Sequence, residues 1–63
     1  GTKLVLVEAR SGEDLAALGR RTGNTWAPSR TAVLNGVFVN HRFESGELVK
    51  IARTEPYVPK PPK

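Results

Sequence analysis

A chain of 63 residues with no cysteine must hold its fold together by side-chain packing alone. At this length only about 60% of the unfolded chain's surface can be buried, so one small core has to do what disulfides do in many domains of this size. Two domains do not fit. The same absence removes thiol catalysis and every thiolate metal site, and a lone histidine, His41, cannot build an imidazole cluster. A hydrophobic share of 38%, with six glycines besides, matches folded chains rather than disordered ones, so one folded unit is expected.

Four apolar residues between charges, Lys3-Leu-Val-Leu-Val-Glu8, have the length and β-branching of a buried strand, and residues 3 to 8 are predicted as one. Ser11-Gly12-Glu13-Asp14 follows. A Ser11 hydroxyl can cap a first turn and Asp14, three residues on, can return a bond, so a helix is expected to open at Ser11. Leu15 and Leu18 fall on one face, Arg20 and Arg21 suit the C-terminal end, and Gly23 is a natural terminator. Pro28 suits the first turn of a second helix running to about Leu34, stopped by Asn35-Gly36. Residues 37 to 46 read as loop, and Leu48-Val49-Lys50-Ile51-Ala52 as a closing strand.

The expected class is therefore α+β, in strand-helix-helix-strand order, with a two-stranded antiparallel sheet carrying both helices on one face. The predicted core is Leu4, Leu6, Leu15, Leu18, Val33, Leu34, Val49 and Ile51, with Trp26 or Phe38 closing an end. The folded domain should occupy residues 1 to 54. Four of the five prolines fall in residues 55 to 63, which predicts an extended, mobile Pro-rich tail there.

A net charge of +4 keeps a small domain soluble and favours acidic partners weakly. No run of 18 apolar residues offers a membrane span, and the opening residues lack the basic-then-apolar layout of a signal peptide. Gly1 in place of Met fits a segment excised from a longer parent.

No catalytic constellation is legible, and no cofactor is implied. A metallopeptidase helix needs two histidines four apart with a glutamate between them. A Ser-His-acid site would need His41 beside Ser11, Ser29 or Ser45, none of which lies in a nucleophile-elbow sequence. Glu13 and Asp14 are explained by the helix start, and His41, between Asn40 and Arg42, reads as a solvated surface residue. The chain alone is expected not to be an enzyme. Nucleic-acid binding has some support: Arg20, Arg21, Arg30 and Arg42 could cluster, and Trp26 or Tyr57 could stack on bases. Against it, acids are interleaved with the basic residues and no standard binding signature is present, so the signal is weak and nucleic acid is not the expected partner.

Ser11-Gly12-Glu13-Asp14-Leu15 opening the first helix, Leu34-Asn35-Gly36 closing the second, and Ser45-Gly46-Glu47-Leu48-Val49-Lys50-Ile51 entering the last strand together resemble a LysM domain over residues 3 to 52. Glu13-Asp14 stands where that family commonly has Asp-Thr, and Ser45 and Glu47 flank Gly46 where Pro and Gln are commoner. The resemblance implies a shallow groove for N-acetylglucosamine-containing glycans, either peptidoglycan or chitin. Its walls would be Gly12, Glu13, Asp14 and Leu15 on one side and Asn35, Gly36, Val37 and Phe38 on the other, with Trp26 as a further aromatic contact. A narrower likeness, carried by Arg30-Thr-Ala-Val-Leu-Asn-Gly36 and Gly46-Glu-Leu-Val-Lys-Ile51, is to the C-terminal LysM-like extension of bacterial envelope zinc metallopeptidases of the H-E-x-x-H family, which often contain tetratricopeptide repeats. It implies a periplasmic or cell-envelope setting and a non-catalytic accessory module. The partner would be the peptidase domain of the same parent or another envelope protein.

Overall fold

The structure is a computed structural model and describes residues 1–56 and 59–62. Its elements are β1 (Thr2–Glu8), α1 (Leu15–Thr22), α2 (Pro28–Asn35) and β2 (Leu48–Thr54), an α+β arrangement in the expected order. β1 and β2 form a two-stranded antiparallel sheet in which Val5 faces Ile51 and Val7 faces Val49. Directly opposed residues share a face. Val49 and Ile51 belong to one hydrophobic cluster with Leu15, Leu18, Ala32, Ala9 and Phe43, and Val5 and Val7 pack against it.

That register corrects half of the expected core. Leu15, Leu18, Val49 and Ile51 are buried as predicted, whereas Leu4 (68% exposed) and Leu6 (61%) lie on the outer sheet face. Every position of the Leu-Val-Leu-Val run is apolar, so composition alone cannot choose its inner face. Pairing with Val49 and Ile51 chooses Val5 and Val7. Val33 and Phe38 are also exposed and Leu34 is only partly covered, because α2 turns Thr31 and Ala32 inward instead. Ala9 and Phe43 are core residues that the sequence reading left out.

The first helix starts three residues later than expected. Ser11 and Gly12 form a turn in which Gly12 takes a φ of +76°, a left-handed value disfavoured for residues with a Cβ. The cap is Asp14, whose carboxylate accepts the Ala17 N–H at 2.8 Å. Gly23 ends α1, and Gly36, at φ +66°, ends α2 with its N–H on the carbonyls of Ala32 and Val33.

Two asparagines occupy the edge of β2 away from β1. Asn35 donates to the Lys50 carbonyl at 2.9 Å and accepts the Lys50 N–H at 2.8 Å. Asn24 accepts the Ala52 N–H at 3.1 Å, and the Thr25 N–H donates to the Ala52 carbonyl at 2.8 Å. These groups act as a short surrogate third strand, covering an edge that would otherwise invite pairing with another chain. Among the described residues no buried side-chain polar atom lacks a partner.

The described residues of the 55–63 stretch form neither helix nor strand, and positions 57, 58 and 63 of the predicted tail lie outside the description. Among the described residues no helix is long and apolar enough to cross a membrane.

Candidate binding cleft

Glu8 ends β1, and the chain then runs through a loop stitched to the segment before β2. The Ala9 N–H donates to the Glu47 carbonyl and the Ala9 carbonyl accepts from Gly46, both within 2.9 Å. Further on, the Gly12 N–H donates to the Phe43 carbonyl at 2.8 Å and the Phe43 N–H to the Glu13 carbonyl at 2.9 Å. Buried Phe43 anchors this junction, with His41 edge-on against it at 4.7 Å between ring centroids. His41 is thus half-buried rather than freely solvated, and its Nε2 lies 3.3 Å from a Glu47 carboxylate oxygen. Glu47 is held below the usual carboxylate range, chiefly by the Glu44 N–H and secondarily by His41.

The expected site residues separate into two places. Gly12, Glu13, Asp14 and Leu15 are bound or adjacent to residues 39 to 43, downstream of the predicted second wall. Asn35 is directed to β2, Gly36 caps α2, half-buried Val37 packs on the core, and Phe38 is 84% exposed. All four polar or capping candidates on these walls, Glu13, Asp14, Asn35 and Gly36, already have structural work. Glu13 is gripped by Arg21 through Nε at 2.6 Å and Nη2 at 2.8 Å, and it also accepts the Arg10 N–H at 2.9 Å. The Arg21 bonds are the chief reason its carboxyl is drawn from an ordinary 4.5 down to about 2, with the Arg10 N–H helping and partial desolvation opposing. Arg21 is raised in turn by the same pair. Asp14 is engaged as the helix cap, and Asn35 as the edge clamp.

What remains open is a pair of adjoining clefts over α1. One, of about 300 Å³, is bounded by Leu15, Ala16, Gly19, Arg20, Asn24, Trp26 and Pro28. The other, of about 310 Å³, shares Leu15, Ala16 and Pro28 and extends to Asp14, Val39, Asn40 and Arg42. The floor is therefore aliphatic and continuous, with half-buried Trp26 at one end. Trp26 is held by its own N–H on Asn24 Oδ1 at 3.1 Å, and the Arg30 guanidinium stands 5.9 Å from its ring centroid. The role of Asn24 was not foreseen, although a short polar residue just after a helix-ending glycine is a site where side chain-to-backbone bonds are common.

The four arginines considered for nucleic acid do not share one role. Arg21 is paired with Glu13 and Arg42 donates to the Gly12 carbonyl at 3.1 Å, while Arg20 and Arg30 form no ion pair among the described residues. Tyr57, the other proposed stacking residue, lies outside the described residues. Among the described residues no three or more His, Asp or Glu side chains gather where they could hold a metal ion. No protein-family model, curated protein or solved structure matches the chain.

Proposed function

We propose that the chain is a non-catalytic accessory module that contacts protein, in keeping with its likeness to the C-terminal extension of periplasmic zinc-dependent metallopeptidases. Both helices sit on the Val5/Val49 face of the sheet in this reading, which the shared cluster of Leu15, Leu18 and Ala32 supports. The observation that carries the proposal is the open aliphatic cleft over α1, beside which Glu13 and Asp14 are engaged in holding the fold. An apolar floor with few free polar groups suits a protein segment better than a sugar, which needs several convergent donors and acceptors. The setting is the bacterial envelope.

Glycan binding is the second reading. It is favoured by one specific feature: the loop opening α1 and the segment after α2 meet across a cleft, at Asp14 and Leu15 on one side and Val39 and Asn40 on the other. Titration of the ¹⁵N-labelled chain with N-acetylglucosamine oligomers and peptidoglycan fragments separates the two. An unchanged amide spectrum at millimolar glycan supports the protein-contacting role. Saturable shifts confined to residues 12–15 and 38–42 would replace it with the glycan role.

A further inference from the structure

We infer that the cleft between α1 and the start of α2 binds an acidic peptide segment of a partner protein, with an apolar side chain seated beside Trp26 and carboxylates meeting Arg20 and Arg30. The inference rests on the protein-contacting reading above and adds the chemistry of the partner.

Charge is the first reason. Arg20 lines the cleft, Arg30 stands by Trp26, and neither forms an ion pair among the described residues. The acids nearest Arg20 along the chain, Glu13 and Asp14, are held by Arg21 and by the Ala17 N–H. Two guanidinium groups are thus left free beside an apolar floor, and they complement carboxylates in geometry as well as sign.

Gly19 is the second. It lies inside α1 and lines the cleft, yet its backbone does not need glycine: its φ is not positive, and an added Cβ would meet only the Asn24 Cβ at an ordinary 3.7 Å. A helix-interior glycine is unfavourable relative to alanine, and neither packing nor conformation explains this one. Its missing side chain deepens the cleft beside Trp26, where an incoming side chain can rest.

A peptide fits better than a nucleic-acid strand. A strand needs a track of free cations, whereas Arg21, Arg42 and Arg53 are bonded to Glu13, the Gly12 carbonyl and the Thr22 carbonyl.

Trp26 is the only tryptophan, so its emission reports on the cleft directly. The intact chain is titrated with the blocked peptide Glu-Asp-Leu-Glu-Asp and with its neutral Gln-Asn-Leu-Gln-Asn counterpart. The acidic peptide should give a saturable change with an affinity at least 10-fold above the neutral one, lost about 10-fold in the Arg20→Glu/Arg30→Glu variant. Gly19→Leu, which alters no charge and suits a helix, should weaken binding by a similar factor, with circular dichroism verifying that each variant is folded. Equal affinity for the two peptides overturns the inference, as does undiminished binding by the folded charge-reversed chain. Tighter binding of a thymidine oligonucleotide of matching charge also overturns it, in favour of nucleic acid. A chain that ignores the acidic peptide but still engages a peptidase domain through other residues would lose only this inference, whereas one that engages neither would lose the accessory role too.

Discussion

Asn24→Ala removes a side chain that ties three parts of the fold together. Its Oδ1 accepts from the N–H groups of Ala52 and Trp26, both at 3.1 Å, and its Nδ2 donates to the Thr31 hydroxyl at 2.8 Å. Ala52 is fully buried, so its N–H has no water to turn to once the acceptor is gone; an orphaned buried donor costs about 1–3 kcal/mol. The Trp26 N–H is less enclosed, and Thr31 keeps its bond to the Ala27 carbonyl, so together these add about 1 kcal/mol. The expected loss is about 2–4 kcal/mol, against about 3–9 kcal/mol in total for a domain of this size. A fall in Tm of at least about 10 °C should follow. Asn24→Asp keeps both acceptor bonds, and the Thr31 hydroxyl can turn to donate to it while the Ala27 carbonyl retains the Thr31 N–H. That variant should lose only about 1 kcal/mol. Urea denaturation followed by Trp26 fluorescence and by circular dichroism measures both. A loss below 1 kcal/mol in Asn24→Ala, or equal losses in the two variants, would refute the edge-clamp role.

Other outcomes follow from the same structure. Leu18→Ala, in the centre of the cluster, should cost about 2–4 kcal/mol in urea denaturation, whereas Leu4→Gln on the outer face should cost less than about 0.5 kcal/mol; the reverse order would mean that β1 presents its other face inward. Gly19→Ala should raise stability by about 0.5–1 kcal/mol, since the new methyl group meets only an ordinary contact, and a loss would mean that the helix needs glycine there. Glu13 has a folded pKa of about 2, below its ordinary 4.5, so its stabilisation is complete above 4.5 and is lost as pH falls towards 2. The drop sets a ceiling of about 3 kcal/mol, and screening of a pair whose arginine reaches the surface reduces it to about 1–2 kcal/mol. Because the loss is only a little over half complete at pH 3, Glu13→Gln should narrow the stability difference between pH 6 and pH 3 by about 0.5–1 kcal/mol, and an unchanged difference would deny the pair this role.

Element order was legible because punctuation is strong in this chain. Pro28 and Gly36 bracket α2, Gly23 closes α1, and charges flank the first apolar run. The start of α1 was misplaced because Ser11 and Asp14 both satisfy the chemistry of a cap, and only the Gly12 turn decides between them. Core membership was less legible for a different reason. In β1 both faces are apolar, so the inner one is set by register with β2, and Phe43 sits in a polar stretch where nothing local marks it as an anchor. The cleft was least legible of all. It joins residues far apart in sequence, such as Leu15 with Trp26 and Pro28, and the sequence reading placed its second wall at 35–38 where the loop opening α1 instead meets 39–43.

The accessory-module reading is tested most directly by an amide map of the ¹⁵N-labelled chain, recorded while a bacterial envelope H-E-x-x-H peptidase domain lacking its own extension is added in trans. Shifts or broadening should concentrate at residues 15–20 and 26–30 and fade as salt is raised. A spectrum that stays unchanged with the peptidase domain in excess would contradict the account.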